Sequence, residues 1–103
     1  MLFVNKYVLF NCYIMFEDKV YVGLAPKDSY NEIPWDKSGI TNAGVIGSDV
    51  VNAKTMPYRN FQTNDMRFNE AEIYTNENQM DTIVVKLKNN FFGYPYLKLA
   101  VFH

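Results

Sequence analysis

The sequence predicts an all-β fold, a single-domain antiparallel β-sandwich or small open barrel of about seven strands spanning residues 1–103. Three observations carry that expectation. Apolar residues alternate with a period of two from the start of the chain. Aromatic residues make up 17% of it, a composition suited to pleated, half-buried surfaces. Clusters of turn formers recur at short spacing, with no helical period of useful length between them.

The first element reads as one long strand. Its even positions are Leu2, Val4, Lys6, Val8, Phe10, Cys12, Ile14 and Phe16, nearly all apolar, against a mixed odd set. Successive strand side chains point to opposite faces, so the even set is expected in a core. Glu17-Asp18-Lys19 breaks the run, and Val20 to Leu24 returns as the second strand of a hairpin. Residues 25–39 read as a loop, since Pro26, Asp28, Ser29, Asn31, Pro34, Asp36, Ser38 and Gly39 all form turns. Val45-Ile46 and Val50-Val51 around Gly47-Ser48-Asp49 read as a short hairpin, and Met56 to Asp65 as a second loop.

The next hairpin is sharper. Met66–Tyr74 and Thr82–Asn89 flank a turn centred on Asn78. That register sets Ile73 opposite Ile83, Ala71 opposite Val85 and Glu70 opposite Lys86, with Ala71, Ile73, Ile83, Val85 and Leu87 on one face. A slip of one residue would carry this apolar set into water. The last strand, Tyr94 to Phe102, turns Leu97, Leu99 and Val101 inward and Tyr96, Lys98, Ala100 and Phe102 outward.

Composition excludes several classes. With 49% hydrophobic and 20% charged residues the chain is not disordered. Ten Lys and Arg against eleven Asp and Glu give no general attraction to nucleic acid or anionic membrane. The balance is uneven, because every acid lies at or before Asp81 and the later segment carries only Lys86, Lys88 and Lys98. No apolar stretch is long enough to span a bilayer, and Asn5, Lys6 and Asn11 interrupt any signal-like run at the start. Abundant Asn, Lys, Ile, Tyr and Phe with only two Arg suggest AT-rich codons, as in many phages, viruses and low-GC bacteria.

The catalytic toolkit is thin, and the expectation is that the chain is not an enzyme and holds no metal or cofactor. The single His is the terminal His103, and Cys12 sits in an apolar run with no nearby cation to activate it. Zinc needs several His or Cys ligands, and no Gly-rich phosphate cradle is present. Glu70 and Glu72 share a strand face at roughly 7 Å, near glycosidase spacing, but a facing Lys86 makes an ordinary cross-strand ion pair the stronger reading.

Three surfaces remain as candidates. The loop holding Tyr30, Glu32, Trp35 and Asp36 could anchor a partner protein or stack on a sugar ring. Phe3, Tyr7, Leu9, Tyr13 and Met15, on the second face of the first strand, suit contact with another subunit. Lys86, Lys88, Tyr96 and Lys98 form a basic, aromatic face such as OB-like domains present to single-stranded nucleic acid, although two nearby glutamates oppose it. The function expected first is non-catalytic protein binding or assembly by a small phage, virus or mobile-element protein, forming a homo-oligomer in the cytoplasm or on a virion. A carbohydrate-binding module built on the Trp35 loop and a nucleic-acid-binding domain are the alternatives.

Overall fold

The computed structural model describes residues 3–4, 7–26, 39–47, 50–52, 54–88 and 96–102, with residues 3–4, 7–11 and 24–26 described as backbone only. Eight strands are present among them: β1 (Phe3–Val4), β2 (Tyr7–Phe16), β3 (Lys19–Pro26), β4 (Ile40–Val45), β5 (Gln62–Thr63), β6 (Glu72–Asn76), β7 (Thr82–Lys86) and β8 (Tyr96–Val101). They pair antiparallel in one sheet of order β1-β2-β3-β8-β7-β6-β4, with β5 on the free edge of β2. The all-β expectation holds, and the sheet curls into a half-barrel rather than splitting into a two-sheet sandwich. The curl brings its edges together: beyond β4, Gly47 N–H donates to Phe61 C=O at 3.0 Å and Val51 N–H to Thr63 C=O at 3.0 Å. Phe61 N–H in turn reaches Met15 C=O on β2 at 2.7 Å.

The first strand is not continuous. β1 folds back on β2, pairing Phe3 with Val8 and Val4 with Tyr7. β2 then meets β3 through Glu17 and Asp18, both at positive φ (50° and 64°). Two left-handed residues are what a type I′ turn requires, and its twist matches the strands it joins. Asn60 holds the turn from outside, accepting from Asp18 N–H at 2.8 Å and donating to the Asp18 carboxylate at 3.1 Å. The β2–β3 register shifts between Leu9 and Tyr13, where Phe10, Asn11 and Cys12 face Gly23 alone. Three residues against one preserve the alternation, so Cys12, Ile14 and Phe16 are all buried as the even face requires.

β4 pairs with β6, not with Val50-Val51, so the expected short hairpin there does not form. A bulge between Asn42 and Gly44 bends the strand, with the Asn42 side chain accepting from Gly44 N–H at 3.0 Å. Gly44 sits at φ 138°, and a Cβ there would lie 2.7 Å from the Phe61 ring. The expected loop 56–65 contains β5, because polar side chains tie it to β2. Asn64 Oδ1 accepts from Tyr13 N–H at 2.8 Å, and Thr63 Oγ1 donates to Tyr13 C=O at 2.8 Å.

The expected strand Met66–Tyr74 is shorter, since Met66–Phe68 forms a 3₁₀ turn. Asp65 caps it, accepting from Arg67 N–H at 2.9 Å and binding the Arg67 guanidinium at 2.9 and 2.6 Å. Burial alone would raise the Asp65 pKa, but the hydrogen bonds and charge of Arg67 outweigh it and hold the carboxyl below its usual value. In the hairpin that follows, Ile73 faces Val85 and Glu72 faces Lys86, two residues from the expected register. The Asn76 side chain accepts from Asn78 N–H at 2.8 Å while Gln79 N–H reaches Asn76 C=O at 2.9 Å, which moves the turn centre to Gln79.

The concave face collects the core: Cys12, Ile14, Phe16, Tyr21, Ile46, Phe68, Ala71, Ile73, Ile83, Val85, Leu87, Leu97 and Leu99. The other face is less wet than expected, for Val84 and Val22 are buried there, cross-strand from Tyr74, Lys98 and Ala100. Burial pushes the Cys12 thiol up to about 12, with a smaller contribution from Asp65. Native Cys12 is therefore expected to resist disulfide-exchange reagents at pH 8 and to react at once in denaturant. A thiol pKa raised by folding contributes stability below its unfolded pKa of about 8.5, lost as pH rises toward the folded value. Loss of thermal stability above about pH 9 that Cys12→Ala removes would display this linkage, and rapid native labelling would contradict the burial.

Candidate functional site

One end of the half-barrel gathers three connections: the Glu17–Asp18 turn, the start of β4 and the turn between β6 and β7. They enclose a cleft of about 190 Å³. Phe16, Tyr21 and Ile83 are its buried apolar members. Thr41, Thr75, Thr82, Asn76 and Gln79 contribute hydroxyl and amide groups, Glu17 and Glu77 contribute carboxylates, and Met80 is exposed at the rim. Gly39 also lines the cleft, at φ 78° and so close that a Cβ would sit 3.1 Å from the Glu77 side chain.

The described charged residues lining the cleft, Glu17 and Glu77, are both acidic. No Lys or Arg is among the described residues lining the cleft. Tyr21 is 2% exposed, and its hydroxyl makes no hydrogen bond among the described residues. Burial raises the Tyr21 pKa, and the negative charges of Glu17 and Asp81 raise it further, so the phenol stays protonated. Tyr21 and Glu17 both line the cleft. Beside the cleft the Phe61 ring meets Phe16 edge to face at 5.7 Å between centroids. Tyr58, 62% exposed, follows on the same connection under the Arg59 guanidinium, whose carbon is 5.4 Å from the ring centre.

The residues expected from sequence are placed differently. Tyr30, Glu32, Trp35 and Asp36 lie outside the described residues. The stripe Phe3, Tyr7, Leu9, Tyr13 and Met15 does not run along one strand, because Phe3 belongs to β1, opposite Val8. Of its other members, Tyr13 is half-buried with its ring edge-on to Phe102 at 5.4 Å, and Met15 is half-buried. Phe102 therefore covers part of the surface assigned to another subunit. On the basic face Lys86 and Tyr96 are direct cross-strand partners, and Lys98 lies opposite Val84. Lys88 lies beyond β7 and pairs with Glu70, while Glu72 faces Lys86. The expected Glu70–Lys86 pair is thus replaced by two others. Glu70 sits in a turn at φ 60°, off the strand, so it and Glu72 do not form a shared strand face.

The sequence reading missed Phe16, Glu17, Tyr21, Glu77, Tyr58 and Phe61 as neighbours at one end. Its signals there were local: Glu17 read as a turn residue and Phe16 as core. Among the described residues no group of three or more His, Cys, Asp or Glu is placed to hold a metal ion, and no helix is long and apolar enough to cross a membrane. Compared with protein-family models, curated proteins and solved structures, the chain matches none.

Proposed function

We propose that this chain is a non-catalytic docking domain that binds another protein through the open end of its half-barrel. One observation supports the reading: exposed Met80 lines a formed cleft, Phe61 packs on its wall, and exposed Tyr58 lies on the same connection as Phe61. Tyr58, Phe61 and Met80 are 62%, 36% and 65% exposed, and Phe61 touches Phe16 in the cleft wall. Asn60 ties the connection that carries Tyr58 and Phe61 to the turn that carries Glu17. Aromatic and Met side chains beside a pocket, held by a hydrogen-bonded frame, are the composition of a protein-binding anchor region. The AT-rich codon signature fits a phage, virus or mobile-element origin for such a protein, acting in the cytoplasm or on a virion.

Recovery of partners from the native source, with wild type and a Tyr58→Ser/Met80→Ser double variant compared by mass spectrometry, tests this. Both residues are exposed, so the variant is expected to fold. A protein retained by wild type and lost at least tenfold from the variant is the expected result. Identical recoveries would remove the open end from the interaction.

A further inference from the structure

We infer that the cleft at the open end is a binding site for a primary alkylammonium group, the head of a lysine side chain presented by a partner polypeptide. The inference rests on the docking reading and names what enters the cleft. Three features favour that chemistry. Glu17 and Glu77 line the cleft, and neither makes a hydrogen bond or ion pair among the described residues. Tyr21, 2% exposed, lines the same cleft, and its hydroxyl has no hydrogen-bond partner among those residues. Phe16 and Tyr21 supply aromatic rings to its wall.

An ammonium carries three N–H donors and no acceptor. Two carboxylates and a phenol oxygen offer it acceptors, and aromatic faces attract a cation that has left water. An anion would meet two like charges and no base among the described residues of the lining. A neutral apolar group would leave the buried phenol without a partner, which disfavours it. Size argues for a side chain over a larger ligand. Small-molecule sites usually enclose about 300–1,000 Å³, and this cleft has about 190 Å³.

The test is an amide chemical-shift titration of the full chain at pH 7 with three probes. They are a capped Gly-Gly-Lys-Gly-Gly pentapeptide, the same peptide with norleucine for lysine, and n-butylammonium. Saturable shifts at Thr41, Thr75, Gln79 and Thr82 are expected with the lysine peptide and n-butylammonium, and none with the norleucine peptide. A Glu17→Gln/Glu77→Gln variant should weaken binding at least tenfold, and Tyr21→Phe about threefold. Glu70→Gln, which removes a remote acid, should leave it unchanged. Tighter binding of the lysine peptide is the expected result; tighter binding of n-butylammonium would keep an ammonium site but overturn its assignment to a lysine of a polypeptide. Equal binding of norleucine and lysine peptides, shifts away from the cleft, or full affinity in the double glutamine variant would overturn it. If the cleft fails while Tyr58 and Met80 still govern partner recovery, the ammonium site falls and the docking reading stands. The reverse pair of results separates them the other way.

Discussion

Val85→Asp is expected to abolish folding. Val85 is fully buried in β7, between Ile73 on β6 and Leu97 on β8, which are themselves fully buried. A carboxylate there leaves water without a cation to meet it, at a cost of several kcal/mol, and the lost packing adds to this. A domain of this size has roughly 5–15 kcal/mol in total. The introduced acid would avoid charging by a raised pKa. Its folded pKa would then lie above its unfolded value of about 3.9, so any stability left is present below that pH and lost as pH rises. Circular dichroism at pH 7 should show a chain without a cooperative melt, with partial recovery below about pH 4. A wild-type melting curve at pH 7 would show that the concave face is not the one assigned.

Val85 was legible because strand alternation is a local rule, and the irregularities in this chain mostly respect it. The bulge in β2 opposes three residues to one, so Cys12, Ile14 and Phe16 stay on a single face. The β6–β7 register moved by two, an even slip that exchanged cross-strand partners without exchanging faces. What moved it was the side chain of Asn76, a turn device that periodicity does not encode. Neighbours across the fold were hidden for a different reason. The pairing of β4 with β6, and the contact of Gly47 with Phe61, depend on how far the sheet curls. Curl follows from bulges, glycines at positive φ and the summed twist of many strands. The cleft inherits that difficulty. Phe16 and Tyr21 read as core and Glu17 and Glu77 as turn residues; one hairpin holds the first three, and only the curl of the sheet brings Glu77 to their opening.

Phe68→Ala carries the second-largest expected effect, and it tests the place where alternation misled. A strand from Met66 to Tyr74 would set Phe68 on the same face as Glu70 and Glu72, away from Ile73. In the structure Phe68 is fully buried in the core with Ala71 and Ile73. Two devices turn it inward. Asp65 caps a 3₁₀ turn over Met66–Phe68, closed by Phe68 N–H to Asp65 C=O at 3.0 Å and Asn69 N–H to Met66 C=O at 3.1 Å, and Ala71 N–H then reaches Phe68 C=O at 3.0 Å. Glu70 then adopts φ 60°, a left-handed conformation that reverses the chain before β6 begins. Such strain costs about 1–3 kcal/mol and persists only where the surroundings impose it; the ring in the core is what compensates for it here. Truncation to Ala removes that ring from a close-packed interior and should cost about 3–5 kcal/mol, a fall in melting temperature on the order of 20 °C. Phe68→Leu, which keeps most of the apolar volume, should recover more than half of the loss. A melting temperature within a few degrees of wild type for Phe68→Ala would mean that Phe68 stands on the outer face, as an uninterrupted strand would place it.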